Sequence, residues 1–189
     1  MQDLTTYLAT RGLKPFSDIT YHKLLSLNDT IYSNVILVNW RSFDHSVSRV
    51  QLRDNKGWNN LEVNPTKVQL YNIANTLDKS HIFFTESVLD AQSIIQSLSE
   101  EHRKISTAIA FGTANIYSNQ LLFCKEMFRD RKIITALDND NAGIRGTLKI
   151  TESMGNSSKV LSLVYPNSDV NECLVKQPEL FKNIVNNIF

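Results

Sequence analysis

The sequence predicts an α/β protein, in which a parallel sheet flanked by helices is preceded by a smaller mixed α+β region. In the second half of its 189 residues, short apolar segments alternate four times with segments of helical periodicity. Residues before about 80 are more mixed and richer in Asn and Asp, which favour turns. We therefore expect an N-terminal subdomain at 1–79 and a sheet domain at 80–189.

The predicted strands are short runs rich in β-branched and apolar residues, at 81–85, 107–111, 132–137 and 160–164. The predicted helices follow them, at 87–98, 118–128, 142–154 and 178–188. Pro178 suits the first turn of the last helix, where its missing N–H costs nothing. Four repeats of strand and helix predict right-handed crossovers and helices on both faces of the sheet.

Charge and cysteine content exclude several classes of protein. Twenty Lys and Arg against nineteen Asp and Glu leave a net charge of +1, so a polyanionic partner must be held by a local patch. Cys124 and Cys173 stand alone, which favours neither a disulfide framework nor a zinc ribbon. The sequence has no long apolar window and no secretory signal pattern, so we expect a cytoplasmic protein without a membrane partner.

Acidic residues follow two of the predicted strands. Glu86 comes directly after the first strand, Asp138 and Asp140 come after the third, and Asp90 lies one helical turn beyond Glu86. Parallel sheets bind ligands at the carboxyl ends of their strands. If the two strands are neighbours, these carboxylates lie close enough to raise one another's pKa unless a cation lies between them, and an all-oxygen set favours Mg²⁺ or Mn²⁺. The pattern therefore predicts metal-dependent phosphoryl transfer.

Simpler interpretations of the same acids also exist. Asp138, Asp140 and Asp90 are each suited to a helix N-terminus, where a carboxylate caps backbone N–H groups. A calcium loop beginning at Asp138 is disfavoured, because its twelfth position is Lys149 instead of a bidentate Glu. Phosphate loops, dinucleotide fingerprints, zinc-protease motifs and nucleophile elbows do not occur in the sequence.

Several runs of residues resemble the TOPRIM domain, a Rossmann-like fold shared by bacterial primases, topoisomerases and certain nucleases. The runs are Phe84–Asp90 (FTESVLD), Phe111–Thr113 (FGT), Leu137–Gly143 (LDNDNAG) and Asp169–Leu174 (DVNECL). Upstream, Tyr7–Leu13 (YLATRGL) and Lys67–Asn72 (KVQLYN) are similar to segments of DnaG-type primase cores. Residues 36–53 are placed like the small β-rich subdomain that grips template and nucleotide in that family.

The resemblance implies roles for four acids. Glu86 would be the family's conserved acid, acting as a base or metal ligand, and Asp138 and Asp140 would be its metal-binding pair. Asp90 would support them as a further metal-site acid. The implied cofactor is Mg²⁺ or Mn²⁺, and the implied catalytic residues are Glu86, Asp138 and Asp140.

Basic and glycine residues receive roles in the same way. Arg53 and Lys67, with Arg49 as a third candidate, would contact phosphates of nucleotide or nucleic acid. Gly112 would keep backbone clear of the metal site, and Gly143 would let the following helix pack closely. The family usually has Gly directly after its first acid, whereas this chain has Ser87.

A DnaG-type DNA primase, including the phage and plasmid relatives, would make RNA primers on single-stranded DNA from nucleoside triphosphates during replication. The family's zinc-binding template reader and helicase region have no counterpart in these 189 residues, so we expect a replicative helicase or a separate zinc domain as partner. Two alternatives remain open. The same acids suit a TOPRIM nuclease, and Ser87 is compatible with a non-catalytic nucleic-acid-binding replication accessory protein.

Overall fold

The computed structural model describes residues 4–27, 30–54, 57–62, 68–113 and 115–189. The N-terminal part is an antiparallel sheet in the order β1-β2-β3-β4, preceded by a short helix α1. These elements are α1 Leu4–Thr10, β1 Ile19–Leu27, β2 Thr30–Arg41, β3 Val47–Asp54 and β4 Gly57–Glu62. Val38 and Trp40 alternate with half-buried residues along β2, as expected for a sheet that covers a core with one face.

The second sheet is parallel, with the strand order β6-β5-β7-β8. A 3-10 helix at Ile73–Thr76 leads into it. Its strands are β5 His81–Thr85, β6 Ser106–Ala110, β7 Lys132–Ala136 and β8 Lys159–Ser162. The helices are α2 Val88–Ser97, α3 Glu100–Ile105, α4 Ser118–Met127, α5 Asn141–Met154, α6 Val170–Lys176 and α7 Pro178–Asn186. This architecture confirms the predicted fold class.

The predicted elements of the second half are all present, with ends that differ by one or two residues. The largest differences, of two residues, are at the ends of the last helix, expected to reach residue 188, and of the last strand, expected to reach residue 164. Strand β8 pairs only with β7, and this ladder ends at Ser162, so Val164 lies beyond the sheet and is exposed. Helices α3 and α6 were missed because each has fewer than eight residues, too few for a helical period to show.

Hydrophobic side chains form two clusters on opposite faces of the parallel sheet. Phe83 points into the cluster that contains α2, α6 and α7, whereas its neighbour Phe84 points into the cluster with α4 and α5. The first cluster also takes up side chains from α1 and from β2, including Trp40. The antiparallel sheet and one face of the parallel sheet therefore share a core. No helix among the described residues is long and apolar enough to cross a membrane.

Candidate active site

Acidic residues meet at the carboxyl edge of the parallel sheet because β5 and β7 are neighbours in register. Thr85 at the end of β5 pairs with Ala136 at the end of β7. Glu86 and Asp138 therefore leave the same edge within one or two residues of the last paired positions. Both side chains are half-buried. The sheet order alone brings these two predicted site residues together.

Asp90 joins them through the start of helix α2. Ser87 caps this helix and forms a reciprocal capping box with Asp90: the Asp90 N–H donates to Ser87 Oγ and the Ser87 N–H donates to Asp90 Oδ2, both at 3.2 Å. Ser87 Oγ also donates to Asp90 Oδ2 at 2.5 Å. The Asn171 N–H donates to the other oxygen, Oδ1, at 3.0 Å. Asp90 is only 4% exposed, and burial raises its pKa to about 6, with Asp169 adding to the increase. Ser87, the departure from the expected Gly, thus orients an acid of the site.

Asp138 has a higher pKa than Asp90. Burial, and after it the negative charges of Asp90, Glu86, Asp169 and Asp140, together raise its pKa to about 7. Its Oδ1 is shielded from solvent and receives no hydrogen bond from any described residue. A buried carboxylate oxygen without a donor, surrounded by other carboxylates, matches the requirement for a hard cation.

Asp140 lies further out, at the start of helix α5. Its side chain is exposed and caps the helix, accepting hydrogen bonds from the N–H groups of Ala142 and Gly143, both at 2.8 Å. Asp140 therefore acts as a helix cap, as the simpler interpretation of the sequence predicted, and does so through its Oδ1 atom. Its charge still acts on Asp138, so it belongs to the same electrostatic cluster.

Two residues that sequence reasoning did not assign to the site also lie there. A cavity of about 160 Å³ is lined by Arg11 and Asp169 together with Glu86, Asp90 and Asp138. Asp169 caps helix α6 by accepting from the Glu172 N–H at 2.6 Å. The sequence offered one indication of this role, because Asp169 is the first residue of the segment Asp169–Leu174 that resembles the TOPRIM domain. Arg11 follows helix α1, and only the tertiary fold brings it to the lining of this cavity.

The basic residues predicted to contact phosphates lie in and around strand β3. The guanidinium carbon of Arg53 is 5.2 Å from the centre of the Tyr7 ring, and that of Arg11 is 5.8 Å from the same ring. The Arg49 guanidinium carbon lies 4.8 Å from the Trp40 ring. Lys67, the remaining candidate, lies outside the described residues.

Gly112, which follows β6, contacts the antiparallel sheet closely. Its φ of +84° lies in the region that favours glycine, and a Cβ there would come within 2.7 Å of the Trp40 ring and 3.0 Å of Arg49 Nη1. Its N–H donates to the Glu86 carbonyl at 2.8 Å. Gly112 therefore lets the Arg49 side chain approach the backbone that carries Glu86.

Gly143, in the first turn of α5, packs directly on the preceding loop. A Cβ at this position would lie 2.0 Å from the Asp138 carbonyl oxygen. The absence of a side chain allows the helix to begin immediately beside Asp138. This contact holds the loop of Asp138 and Asp140 against the edge of the sheet.

The carboxylates are suited to bind a divalent cation at an open site, where the protein supplies only some of the ligands. Among the described residues, no three His, Cys, Asp or Glu side chains converge closely enough to form a complete metal centre. Mg²⁺ typically binds one or two carboxylates and fills its other positions with waters and substrate phosphates. Oxygen donors at Glu86, Asp138 and Asp140, with the donor-free Asp138 Oδ1 among them, suit that mode.

A protein-family model matches the part of the chain that contains these acids. The family is described as Toprim-like, and the match runs over residues 83–174. Residues 83–174 form a Toprim-like domain. The TOPRIM resemblance of the sequence is therefore confirmed, and Glu86, Asp90, Asp138 and Asp169 all lie within the matched segment.

Solved structures extend the similarity of the Toprim-like domain to the N-terminal part of the chain. The primase fragment of the bacteriophage T7 primase-helicase protein matches with a TM-score of 0.65 and 17% identity, over 85% of this chain and 66% of that one. T7 primase domains bound to an RNA/DNA hybrid and dTTP, in a complex with the lagging-strand DNA polymerase, match with a TM-score of 0.67 and 18% identity, over 86% of this chain and 81% of that one.

The Aquifex aeolicus primase, solved with its zinc-binding and RNA polymerase domains, matches with a TM-score of 0.73 and 14% identity. The match covers 99% of this chain and 56% of that one, so the chain spans only part of these structures. No curated protein sequence matches significantly. The Toprim-like domain and the antiparallel sheet together have the fold of a DnaG-type primase catalytic core.

The raised pKa values in the Toprim-like domain predict how stability depends on pH without divalent cations. Asp138 binds its proton more tightly in the folded chain, with a pKa of about 7 against 3.8, and Asp90 does so with a pKa of about 6. Between the unfolded and folded pKa values of these two carboxyl groups, the folded state binds more protons than the unfolded state. The contribution of Asp138 and Asp90 to the free energy of unfolding therefore falls as pH rises from about 4 to 7. Because Asn does not titrate, the free energy of unfolding of Asp138→Asn should exceed that of wild type increasingly over this range.

Urea unfolding of both proteins in EDTA at pH 4.5, 6 and 7.5 measures this difference. Titrating groups that do not interact with Asp138, such as the exposed Glu172 with its lowered pKa, are common to both proteins and cancel in the comparison. A constant difference across the three pH values would contradict the elevated pKa of Asp138.

Proposed function

We propose that the protein is a DNA primase-type nucleotidyltransferase that uses Mg²⁺ or Mn²⁺ to make RNA primers on single-stranded DNA during replication. The single observation that carries the proposal is the position of Asp138. Its side chain has one buried oxygen without a donor, interacts electrostatically with Glu86, Asp90 and Asp169, and lines the same cleft as Arg11. Four acids and one arginine in an open cleft suit a cation and the phosphates of a nucleotide.

Glu86, Asp138 and Asp140 would hold the cations, with Asp90 and Asp169 completing the negative field. The chemistry supplied by such cations is activation of the primer 3′-hydroxyl and neutralisation of charge on the departing pyrophosphate. The chain itself holds the carboxylates in place. Ser87 orients Asp90, and Gly143 keeps the Asp138 loop against the sheet.

The basic residues would contact the substrates' phosphates. The guanidinium groups of Arg53 and Arg11 both lie over the Tyr7 ring, and Arg49 lies next to Gly112 after the end of β6. With Lys67, they would bind nucleoside triphosphate and template backbone by charge-assisted hydrogen bonds. Residues 1–79 would then act as the subdomain that grips template and nucleotide, and residues 80–189 as the catalytic domain, with Gly112 at their contact.

The proposed setting is replication of a phage or plasmid in the cytoplasm, together with a helicase or a separate zinc domain that reads the template. The T7 and Aquifex structures support it, since one comes from a primase-helicase and the other includes a zinc-binding domain. The chain spans only part of each of these proteins. The missing tasks would fall to sequences outside the 189 residues.

Primer synthesis on single-stranded DNA tests the proposal. The protein is incubated with labelled ribonucleotides and Mg²⁺ or Mn²⁺, once on bare template and once on template carrying a pre-annealed short RNA, which bypasses the need for a template reader. Extension that EDTA abolishes, and that an Asp138→Ala, Asp140→Ala double variant lacks, is the expected result. Metal-dependent strand cleavage instead would identify a nuclease. Strand binding without either reaction would identify an accessory protein.

A further inference from the structure

A wide groove lies on the helical side of the molecule, formed by the segment after α1, by α2 and α3, and by α6 and α7. Its main cavity measures about 730 Å³, and its lining includes Lys14, Phe16, Gln96, Arg103, Leu174 and Lys182. None of the site acids lines it. The groove is therefore separate from the cleft around Asp138.

The charge of the groove is one-sided. Lys14, Arg103 and Lys182 contribute three positive charges, and no Asp or Glu occurs among the described residues that line the main cavity. A second cavity of about 300 Å³ shares Gln92 and Arg103 with it and adds Lys79 and Asp18. Asp18 is already paired with the Arg41 guanidinium at 2.9 Å. In a chain with a net charge of only +1, this is a local concentration of positive charge.

The groove is also held in shape by hydrogen bonds across its walls. The Lys14 N–H donates to Gln96 Oε1 at 2.8 Å, and Gln96 Nε2 donates to the Lys14 carbonyl at 2.9 Å. Arg103 Nη2 donates to the Leu98 carbonyl at 2.8 Å, which fixes its guanidinium at the end of α2. Lys182 forms an exposed pair with Glu179, a type of contact worth little and easily exchanged.

The apolar part of the lining indicates which anion fits. Apart from Phe16, the carbon surface of the main cavity comes from aliphatic residues such as Pro15, Leu174 and Val175, within the described chain. Single-stranded nucleic acids bind grooves with several aromatic stacking faces. An aliphatic pocket flanked by cations suits instead a peptide in which Asp or Glu side chains alternate with Leu or Ile.

We propose that this groove docks an acidic, leucine-containing peptide segment of a partner protein. Carboxylates of the segment pair with Lys14, Arg103 and Lys182, and its apolar side chains lie on Pro15, Leu174 and Val175. The interaction does not involve the acidic cleft, so it stands independently of the proposed catalytic activity.

Fluorescence anisotropy with defined peptides tests the docking. The probe is a fluorescein-labelled decapeptide of alternating Asp and Leu, and its control has Asn at every Asp position. Wild type should bind the acidic peptide at least tenfold more tightly than the neutral one. A triple variant, Lys14→Gln, Arg103→Gln, Lys182→Gln, should lose at least tenfold in affinity.

A matched variant controls for net charge: Arg129→Gln, Lys149→Gln, Lys159→Gln removes three exposed cations that lie outside the groove. It should bind the acidic peptide within twofold of wild type. Equal losses in the two triple variants would overturn the proposal, because binding would then follow overall charge. Labelled oligothymidylate serves as a competitor. If it binds wild type more tightly than the peptide does, displaces the peptide, and loses affinity only for the groove variant, the groove binds nucleic acid and the proposal is overturned.

A charge reversal covers the case in which loss of the fixed Arg103 unfolds the chain. Lys14 is exposed at the groove wall, and its two hydrogen bonds with the Gln96 side chain are made by the backbone N–H and carbonyl of Lys14. Lys14→Glu should therefore fold, bind the Asp-containing peptide at least fivefold more weakly, and bind a peptide with Lys at one Asp position more tightly than wild type does. Unchanged preference between these peptides would contradict docking at Lys14.

Discussion

Asp138→Asn should lose about 100- to 1000-fold in metal-dependent primer extension, a loss typical of removing one preorganised electrostatic group from an active site. Asn has nearly the same shape as Asp, so packing around the loop is preserved. The change removes the negative charge that faces Glu86, Asp90, Asp169 and Asp140. Under the proposed function, the Asn amide oxygen would hold a cation less tightly than the carboxylate, and the charge developing on the leaving group would be less well neutralised.

The same variant should unfold at a higher urea concentration than wild type in EDTA, since the raised pKa of Asp138 shows that its charge opposes folding. Activity and stability thus move in opposite directions, which a purely structural role would not produce. Asp78→Asn, at an exposed acid away from the cleft, is the matched control and should leave both unchanged. Full extension activity in Asp138→Asn would remove Asp138 from the catalytic group.

Gly143→Ala should reduce the free energy of unfolding by about 3 kcal/mol, the upper part of the range for forcing atoms into a packed site. The added Cβ would lie 2.0 Å from the Asp138 carbonyl oxygen, which is backbone and has no rotamer by which to move away. Helix α5 and the Asp138 loop must then separate. This cost outweighs the roughly 1 kcal/mol that Ala usually contributes over Gly inside a helix.

Urea unfolding measured by circular dichroism gives the stability change, and primer extension should fall with it as the Asp138 loop shifts. Asn141→Ala is the matched control, because Asn141 is exposed in the same first turn of α5. It should change the free energy of unfolding by no more than about 0.5 kcal/mol. If Gly143→Ala proves as stable as wild type, the close approach of α5 to Asp138 is not essential to the fold.

Local pattern was enough to predict the parallel sheet and the acids at its edge. Strands β5, β6 and β7 are nearly continuous apolar runs because helices cover both faces of the sheet, and each run ends where polar residues begin. Parallel strands carry their following residues to the same edge. Glu86 and Asp138 could therefore be assigned to one place before their strands were known to be neighbours.

Contacts between distant segments could not be predicted in the same way. Arg11 reaches the cleft only because α1 packs in the core that also holds α2 and α6, a contact between the two ends of the chain. Asp169 caps a helix of seven residues, too short to be recognised from periodicity. The boundary of the N-terminal subdomain was predicted from the change in sequence pattern, but its individual strands were not, and its role rested on the resemblance.

The order β6-β5-β7-β8 also has a consequence for how the chain folds. Strands β5 and β6 are close in sequence, and a unit made from them carries Glu86 and Asp90 but neither Asp138 nor Asp169. The four acids come together only when β7 and the segment after β8 are also in place. The repulsion among them is therefore a property of the completed sheet edge and is absent from the β5–β6 unit alone. A divalent cation that binds only the finished edge would favour completion of the sheet by mass action.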